Sequence, residues 1–276
     1  MKYFAHFVLK WGIIYTCMGF LLIFFPRQCP AEVIFSWDVE NGSLREIFYD
    51  VNIYGGGQVE ISEEHAHSGS KSVKIIYTQN EAGINLSPPP FPPTRSLYCR
   101  KYEYFAPGWE WNWPIGLKTG RYFTNPRGTS MIGYAYHSEK MISQQFGNIG
   151  NQCEQEFGRG MNSAIYNLDL KHKYRENEIF GNGLPYIRTG RWYKIETWMV
   201  LNSAPDVPDG ILKIWIDDVL VYSNEHVIWK SSERGCPNGE GWRQMWFGGN
   251  YTGDRCQFPN HYLYRYIAVS YTHLTL

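Results

Sequence analysis

One stretch, residues 186–223, constrains the fold most because it contains two runs that alternate between apolar and polar residues. Within 192–201 and again within 211–222, apolar and β-branched residues recur at every second position, which sends them to one face of an extended strand. The intervening residues 202–210 are rich in Asn, Ser, Pro, Asp and Gly, which form turns and do not continue a ladder. The stretch therefore predicts two antiparallel strands joined by a loop.

The rest of the chain after residue 31 repeats short alternating runs between Gly- and Pro-rich turns. Asn41-Gly42 is a strong turn dipeptide, the proline-rich segment 87–93 cannot donate to a ladder, and no run of ordinary length has the period of an amphipathic helix. Many short strands at regular spacing are typical of a sandwich or jelly roll. We predict one all-β jelly roll of two antiparallel sheets, since 276 residues can bury one sizeable core.

Composition limits the choice of partner. The formal net charge is zero, so there is no electrostatic reason to expect nucleic acid or an anionic membrane as a partner. Aromatic residues make up 17% of the chain, with 11 Trp and 21 Tyr. Such side chains suit sugar rings, because the rings stack on apolar planes while their hydroxyls hydrogen-bond at the rim. The alternative for each aromatic residue is a place in the core.

Residues 1–31 have the pattern of an export signal. Lys2 and Lys10 flank the start of an apolar stretch at 11–25, and Cys29-Pro30-Ala31 offers small residues for cleavage after Ala31. An uncleaved membrane anchor is the alternative. We predict a secreted or periplasmic protein that has no membrane contact after signal cleavage and whose folded domain spans residues 32–268.

The last eight residues, VSYTHLTL at 269–276, look like the translated sequence of a transposon adaptor used in preparing sequencing libraries. A segment of that origin did not evolve with the fold, so we exclude it from the fold prediction. The last native strand is therefore expected at residues 262–268.

Four cysteines would remain after signal cleavage. An even number in an exported chain favours disulfides, although four cysteines allow three pairings. Cys236 and Cys256 enclose a Gly-rich segment and form the preferred pair, whereas Cys99 in a strand-like run fits a buried thiol equally well. Their spacing is not that of a zinc site. The four are Cys99, Cys153, Cys236 and Cys256.

No cofactor is predicted. His65 and His67 lie on a turn with no third ligand nearby in sequence, which favours two solvent-facing side chains over a metal site. A structural calcium ion could bind Asp and backbone carbonyls of a loop, although no EF-hand-like loop is present.

The segment from residue 109 to residue 138 is the most site-like part of the chain. Its tryptophans and then its tyrosines occupy alternate positions, and alternate positions of an extended strand share one face. Two cations lie between them, and His137 falls on the face opposite the tyrosines. A cap of aromatic side chains over the core is the alternative reading. The residues concerned are Trp109, Trp111, Trp113, Lys118, Arg121, Tyr134 and Tyr136.

The order of motifs along residues 33–268 resembles that of secreted polysaccharide lyases of the alginate-lyase and glucuronan-lyase type. The resemblance implies a concanavalin-A-like jelly roll, an acidic polysaccharide as partner and cleavage by β-elimination without an obligatory metal; we also expect a monomer. The segments that carry it are FSWDVENGSL, HSGSKSVKIIY, SLYCRKYEYFAPGW, the strand pair at 190–222, MWFGGN and YLYRYIAVS.

β-Elimination at a uronic acid needs a cation beside the carboxylate, a base for the C5 proton and an acid for the leaving oxygen. Lyases of this type are similar in using a Lys or Arg as the cation and Tyr as base and acid. By this resemblance Lys118 and Arg121 would neutralise the carboxylate, and Tyr134 and Tyr136 would be the acid and the base. A cation beside a tyrosine favours its phenolate. Substrate-binding residues would be Trp109, Trp111, Trp113, His137 and Tyr166, the last also an alternative to Tyr134.

The chain departs from the family pattern at two places. Lys118 is followed by Thr-Gly rather than Pro-Gly, and Ser130-Met131-Ile132 lacks the Arg of a Ser-x-Arg, for which Arg121 or Arg127 could substitute. Two alternatives stay open. One is a lectin-like domain that binds glycans without cleaving them, and the other is a glycoside hydrolase, although the sequence has no Glu-x-Asp-x-x-Glu array to supply its paired carboxylates.

Overall fold

The computed structural model of the protein describes residues 32–77, 82–109, 117–124, 129–138, 141–148, 188–227, 229–230, 241–251 and 263–274. Contacts divide the chain into Met1–Pro30 and Ala31–Leu276, and all described residues belong to the second unit. No helix within these ranges has the length and apolar character needed to cross a membrane.

Strands make up nearly all the regular structure of the described residues, as the period-two patterns predict. The one helix there is the four-residue α1 at Leu44–Ile47. The strands are β1 Glu32–Ser36, β2 Asp50–Gly55, β3 Gln58–Ser62, β4 Ser72–Tyr77, β5 Ala82–Ser87, β6 Ser96–Phe105, β7 Leu117–Phe123, β8 Thr129–Ser138, β9 Met141–Asn148, β10 Trp192–Val200, β11 Gly210–Ile216, β12 Val219–Val227, β13 Gln244–Tyr251 and β14 Leu263–Leu274.

These strands form two antiparallel sheets. The large sheet has the order β12-β11-β10-β6-β14-β4-β3, with β1 also paired to β14, and the small sheet has the order β2-β5-β13-β7-β8-β9. The predicted fold class, an all-β sandwich of two antiparallel sheets, is confirmed.

The apolar side chains between the sheets form the core. Along most of β6 every second residue is buried, and Leu97 from this strand belongs to the same core cluster as Ile195 from β10 and Leu212 from β11. The small sheet contributes residues such as Ile84 and Phe247 to the same cluster. Burial of each such side chain stabilises the fold by roughly 1.5–3 kcal/mol, so the alternating pattern holds the sandwich together.

The predicted strand pair at 192–222 is present but contains three strands. β10 pairs with β11 from Ile195 opposite Ile216 to Val200 opposite Ile211. The predicted second strand is divided by a turn, because Asp217 has φ of 49° and Asp218 has φ of 67°. Aspartate tolerates this left-handed conformation, which two-residue hairpin turns require. The single strand expected at residues 211–222 is therefore wrong.

The last strand is longer than predicted, because β14 continues past residue 268 to Leu274. Its end pairs with β6 and with β1, and all of the β1 pairs are to residues 271–274. Ladder hydrogen bonds come from the backbone, so any segment without proline can supply them. The adaptor-like origin of residues 269–276 stays a prediction, but the strand does not end at Ala268.

A chain that stops at Ala268 should lose stability. It would lack every residue that pairs with β1, and Phe35 of β1 stacks on Phe247 with ring centroids 6.3 Å apart. We expect thermal unfolding several degrees lower than that of the full chain. A control chain that stops at Leu274 should match the full chain, and equal melting of the Ala268 chain would show that β1 contributes nothing.

Gly248 in the MWFGGN motif should not tolerate a side chain. Its φ is +102°, and a Cβ there would overlap the carbonyl oxygen of Ile84 in β5. Gly248→Ala should therefore lower the free energy of unfolding by more than about 2 kcal/mol in urea denaturation. Gly108→Ala is the matched control, because Gly108 also has positive φ, +87°, but a Cβ there meets nothing within 4 Å. Equal losses in both variants would contradict the predicted overlap.

Candidate functional site

The four predicted catalytic residues lie on two neighbouring strands inside the small sheet. Lys118 and Arg121 belong to β7, whereas Tyr134 and Tyr136 belong to β8. β13 pairs with the other edge of β7, and β9 pairs with the other edge of β8. Side-chain positions of these four are outside what the structure describes, so the backbone register locates them.

Lys118 belongs to the set of alternate positions that carries polar residues across the small sheet. It pairs with Ala135 of β8 and with Asn250 of β13. Directly paired residues of an antiparallel ladder share a side of the sheet. Across β13, β5 and β2 the same alternation includes Asn85, which is half-buried, and Asn52, which is exposed. The register therefore gives Lys118 a position on the solvent side of the small sheet.

Tyr136 pairs with Leu117, a fully buried core residue, and so has the other alternation. Arg121 pairs with Trp246, which lies between the buried residues Met245 and Phe247 on β13 and therefore shares the solvent side with Asn250 and Lys118. The pairing of β8 with β9 shifts between Ile132 and Ala135, so the register does not assign Tyr134 to a side. The register thus brings Lys118, Arg121 and the tyrosines to adjacent strands, with Lys118 and Arg121 on the solvent side.

Of the other predicted site residues, one is in the core, one is on β8 and three lie outside the described residues. Trp109 is a core residue, with its ring 4.9 Å from Phe105 and 5.6 Å from Tyr77, so the core alternative holds for it. His137 follows Tyr136 on β8, in the alternation of Ala135. Three predicted residues lie outside the described ones: Trp111, Trp113 and Tyr166.

The outer face of the large sheet carries a cluster that sequence reasoning missed. Glu196 of β10 accepts hydrogen bonds from Tyr98 and Arg100 of β6, the Arg100 Nη2–Glu196 Oε1 distance being 2.6 Å, and Lys194 lies 3.3 Å away. Burial works to raise the pKa of Glu196, but the bonds from Tyr98 and Arg100 outweigh it and the pKa is lowered. Burial, together with the bond to Glu196, raises the pKa of Tyr98 to about 12.

A second cluster on this face surrounds Glu64. Lys74 Nζ lies 2.6 Å from Glu64 and 4.8 Å from the ring centroid of Tyr264, and the Tyr266 hydroxyl donates to Glu64. The hydrogen bond from Lys74, followed by that from Tyr266, lowers the pKa of Glu64. The carboxylates of both clusters are therefore paired with cations and with tyrosine hydroxyls. The sequence signal of this face is the alternation of Tyr98, Arg100, Tyr102 and Tyr104 in β6.

The two histidines of the β3–β4 turn contact this face, where His65 is half-buried and His67 is exposed, as predicted for a solvent-facing side chain. His65 stacks on Tyr104 with ring centroids 4.4 Å apart, and His67 stacks on Tyr102 at 3.7 Å. Burial lowers the pKa of His67. Within the described ranges, no group of three His, Cys, Asp or Glu side chains could hold a metal ion.

The structure describes one of the four cysteines, so the disulfide and buried-thiol predictions are tested only at that residue. Cys99 is buried and forms no disulfide, which agrees with the buried-thiol alternative. The other three lie outside the described ranges, and so does the preferred pair of Cys236 with Cys256.

Solved structures match this chain, whereas no protein-family model and no curated protein does. An endo-β-1,4-glucuronan lyase from the fungus Trichoderma reesei superposes with a TM-score of 0.57 and 12% identity, covering 88% of this chain and 96% of its own. A marine alginate lyase from Aplysia kurodai superposes with a TM-score of 0.58 and 13% identity, and the match covers 88% of this chain and 99% of the lyase. A variant of the alginate lyase Aly36B in complex with alginate trisaccharide superposes with a TM-score of 0.53 and 10% identity, and the match covers 88% of this chain and 96% of the variant.

The chain has a polysaccharide lyase-like fold. Identities of 10–13% show the fold alone, and the coverage of at least 96% of each neighbour shows that the agreement extends over whole domains. The predicted concanavalin-A-like jelly roll is confirmed at this level.

The Glu196 cluster should make stability depend on pH. The lowered pKa means that the folded state favours the carboxylate, so this stabilisation is present above the ordinary pKa of 4.5 and is lost as the pH falls through the lowered value. Glu196→Gln should cost about 1–2 kcal/mol at pH 7 in urea denaturation, and the difference from wild type should shrink in acid. Glu225→Gln, which removes an exposed partner of Lys213, is the control and should change little. A Glu196→Gln loss that stays constant with pH would contradict this account.

Proposed function

We propose that the protein is a secreted, monomeric polysaccharide lyase that cleaves a uronic acid-containing polysaccharide, of the alginate or glucuronan type, by β-elimination. The observation that carries the proposal is the fold agreement, over nearly the whole of each domain, with lyases named for these two polymers. One of the neighbours holds an alginate trisaccharide, which supports an acidic polysaccharide as partner. The export-like pattern of residues 1–31 supports secretion.

The reaction needs three groups around one uronate. A cation neutralises the carboxylate, which stabilises the negative charge that develops when a base removes the C5 proton. The electron pair of the C5–H bond then forms the C4–C5 double bond, the C4–O bond breaks, and an acid protonates the departing glycosidic oxygen. The products are one chain with an unsaturated sugar at its end and one with a free hydroxyl, so no water is consumed.

Lys118 is the proposed neutralising cation, with Arg121 as its predicted partner in that role. The support for Lys118 is its place in the polar alternation of the small sheet, beside Asn250 on β13. Tyr134 and Tyr136 remain the predicted acid and base. His137 is a further candidate, supported by its position two residues after Ala135, which pairs with Lys118.

Lys118→Ala should abolish elimination. Loss of the cation removes stabilisation that acts mainly in the transition state, so kcat should fall at least about 10²-fold. The measurement is the ultraviolet absorbance of the unsaturated product on alginate and on glucuronan. Lys213→Ala is the control, because Lys213 pairs with Glu225 on the large sheet, and it should keep full activity. Full activity of Lys118→Ala would sink the assignment of this site.

Two further variants in the same assay identify the side of β8 that meets the substrate. An inactive Tyr136→Phe variant together with an active His137→Gln variant would support the predicted tyrosines as acid and base. The reverse pattern would support His137 as the proton-transfer group and would show that the side given by the Lys118 register is the reacting one.

A lectin-like domain is the second candidate function. The departures from the lyase pattern at Thr119-Gly120 and Met131-Ile132 favour it, because they fall next to the predicted cation and ahead of the predicted tyrosines. Affinity for alginate or glucuronan without formation of unsaturated product in the wild-type protein would establish this candidate instead.

A further inference from the structure

Three charged side chains lie in the middle of the sandwich, between the two sheets. Lys101 and Glu103 are on β6 and Arg265 is on β14, and each is at most 1% exposed. Lys101 Nζ lies 2.6 Å from Glu103 Oε1, and Arg265 donates to the same carboxylate oxygen. We call this group the buried triad.

The buried triad is a poor way to gain stability. Removing each ion from water costs several kcal/mol, and apolar replacements of buried ion groups are often neutral or stabilising. Burial lowers the pKa of Lys101, while the charge of Glu103 opposes that shift, as expected for an ammonium held in a dry interior. Stability therefore does not explain why the triad is buried, and its contacts with the opposite sheet are the next place to look for its role.

Arg265 reaches across the core to the backbone of β13. Its Nη1 donates to the carbonyl oxygen of Gly248 at 2.9 Å and to the Tyr77 hydroxyl at 3.2 Å. Gly248 lies in the bulge between Trp246 and Gly249, where the pairing of β13 with β7 shifts by one residue. A bulge leaves backbone groups out of the ladder, and a buried carbonyl needs a donor from elsewhere. Arg265 supplies that donor.

Lys101 lies beside Gly120 of β7. A Cβ built on Gly120 would lie 3.4 Å from Lys101 Nζ, and Gly120 has φ of +66°. The contacts of the triad therefore fall on the same side of one ladder row, at the bulge. Gly248 precedes Asn250 by two residues, Gly120 follows Lys118 by two residues, and Asn250 pairs with Lys118.

We propose that the buried triad is a positioning device that fixes the register of the β13 bulge against β7 and so holds Lys118 at its place on the solvent side of the small sheet. A one-residue slip would move the Arg265 contact from Gly248 to Phe247 or Gly249 and would transfer Lys118 to the core side, since alternate residues face opposite sides. The part concerning Lys118 rests on the proposed function, whereas the part concerning the register does not.

The test replaces the triad with apolar residues of similar size, Lys101→Met with Glu103→Leu and Arg265→Met. The matched control is Arg100→Met, which removes a cation from the outer face of the same strand. Each protein is studied by thermal unfolding, by amide hydrogen exchange resolved by peptide, and by kcat and KM on the polymer that the wild type cleaves.

We expect the triple variant to melt within a few degrees of wild type, while amide exchange in residues 117–123 and 244–251 rises at least about tenfold and that in β10 does not change. We expect kcat to fall by about 10²-fold with KM within about threefold, because displacing a catalytic group by about 1 Å costs that much. Arg100→Met should change neither exchange in residues 117–123 and 244–251 nor kcat. If the triple variant does not fold, the Arg265→Lys variant tests the proposal instead. It keeps the positive charge beside Glu103 but lacks the guanidinium fork that reaches Gly248, so amide exchange should rise in β13.

Unchanged exchange in residues 117–123 and 244–251 of a folded variant would overturn the proposal, and so would an equal rise in every strand. Raised exchange with unchanged kcat would overturn the positioning of Lys118 while leaving the proposed function intact. If wild type cleaves no uronate polymer, the proposed function fails, and the exchange measurement still tests the register.

Discussion

The pairing register of β7 with β13 and β8 determines which residues of the small sheet can meet a ligand. In an antiparallel ladder a shift of one residue transfers every side chain to the opposite side. The observed register gives Lys118 the alternation of Asn85 and Asn52 and gives Tyr136 that of the core residue Leu117. The proposed chemistry depends on this assignment, because a neutralising cation acts only on the side where the polysaccharide binds.

The strand pattern of this chain could be predicted locally, whereas its pairing could not. Alternation in 192–201 identified β10, and the absence of a helical period identified the all-β class. The run at 211–222 alternates on both sides of Asp217 and Asp218, a pair of the kind that begins turns, and their left-handed turn divides the run into two strands. The side of the sheet that Lys118 shares with other residues depends on strands distant in sequence, so no local pattern contains it.

Charged residues show the same limit. Along β6, Arg100 is half-buried on the outer face beside Glu196, while its neighbour Lys101 is fully buried between the sheets. Both are basic residues in one alternating run, and hydropathy alone assigns both to solvent. Their difference comes from the alternation of β6, which sends Lys101 between the sheets beside Glu103 of the same strand and Arg100 to the outer face beside Glu196 of β10. Trp109 is the converse case, since an aromatic residue in a site-like segment belongs to the core.

The central claim is that a lyase-like sandwich performs elimination on an acidic polysaccharide. The most direct measurement is the mass of the oligosaccharides released from alginate and glucuronan by the purified protein. Elimination predicts fragments whose masses add up to that of the parent chain, because no water enters the products. Fragments heavier by one water for each cleavage would identify a hydrolase, and binding without any fragments would contradict an enzymatic role.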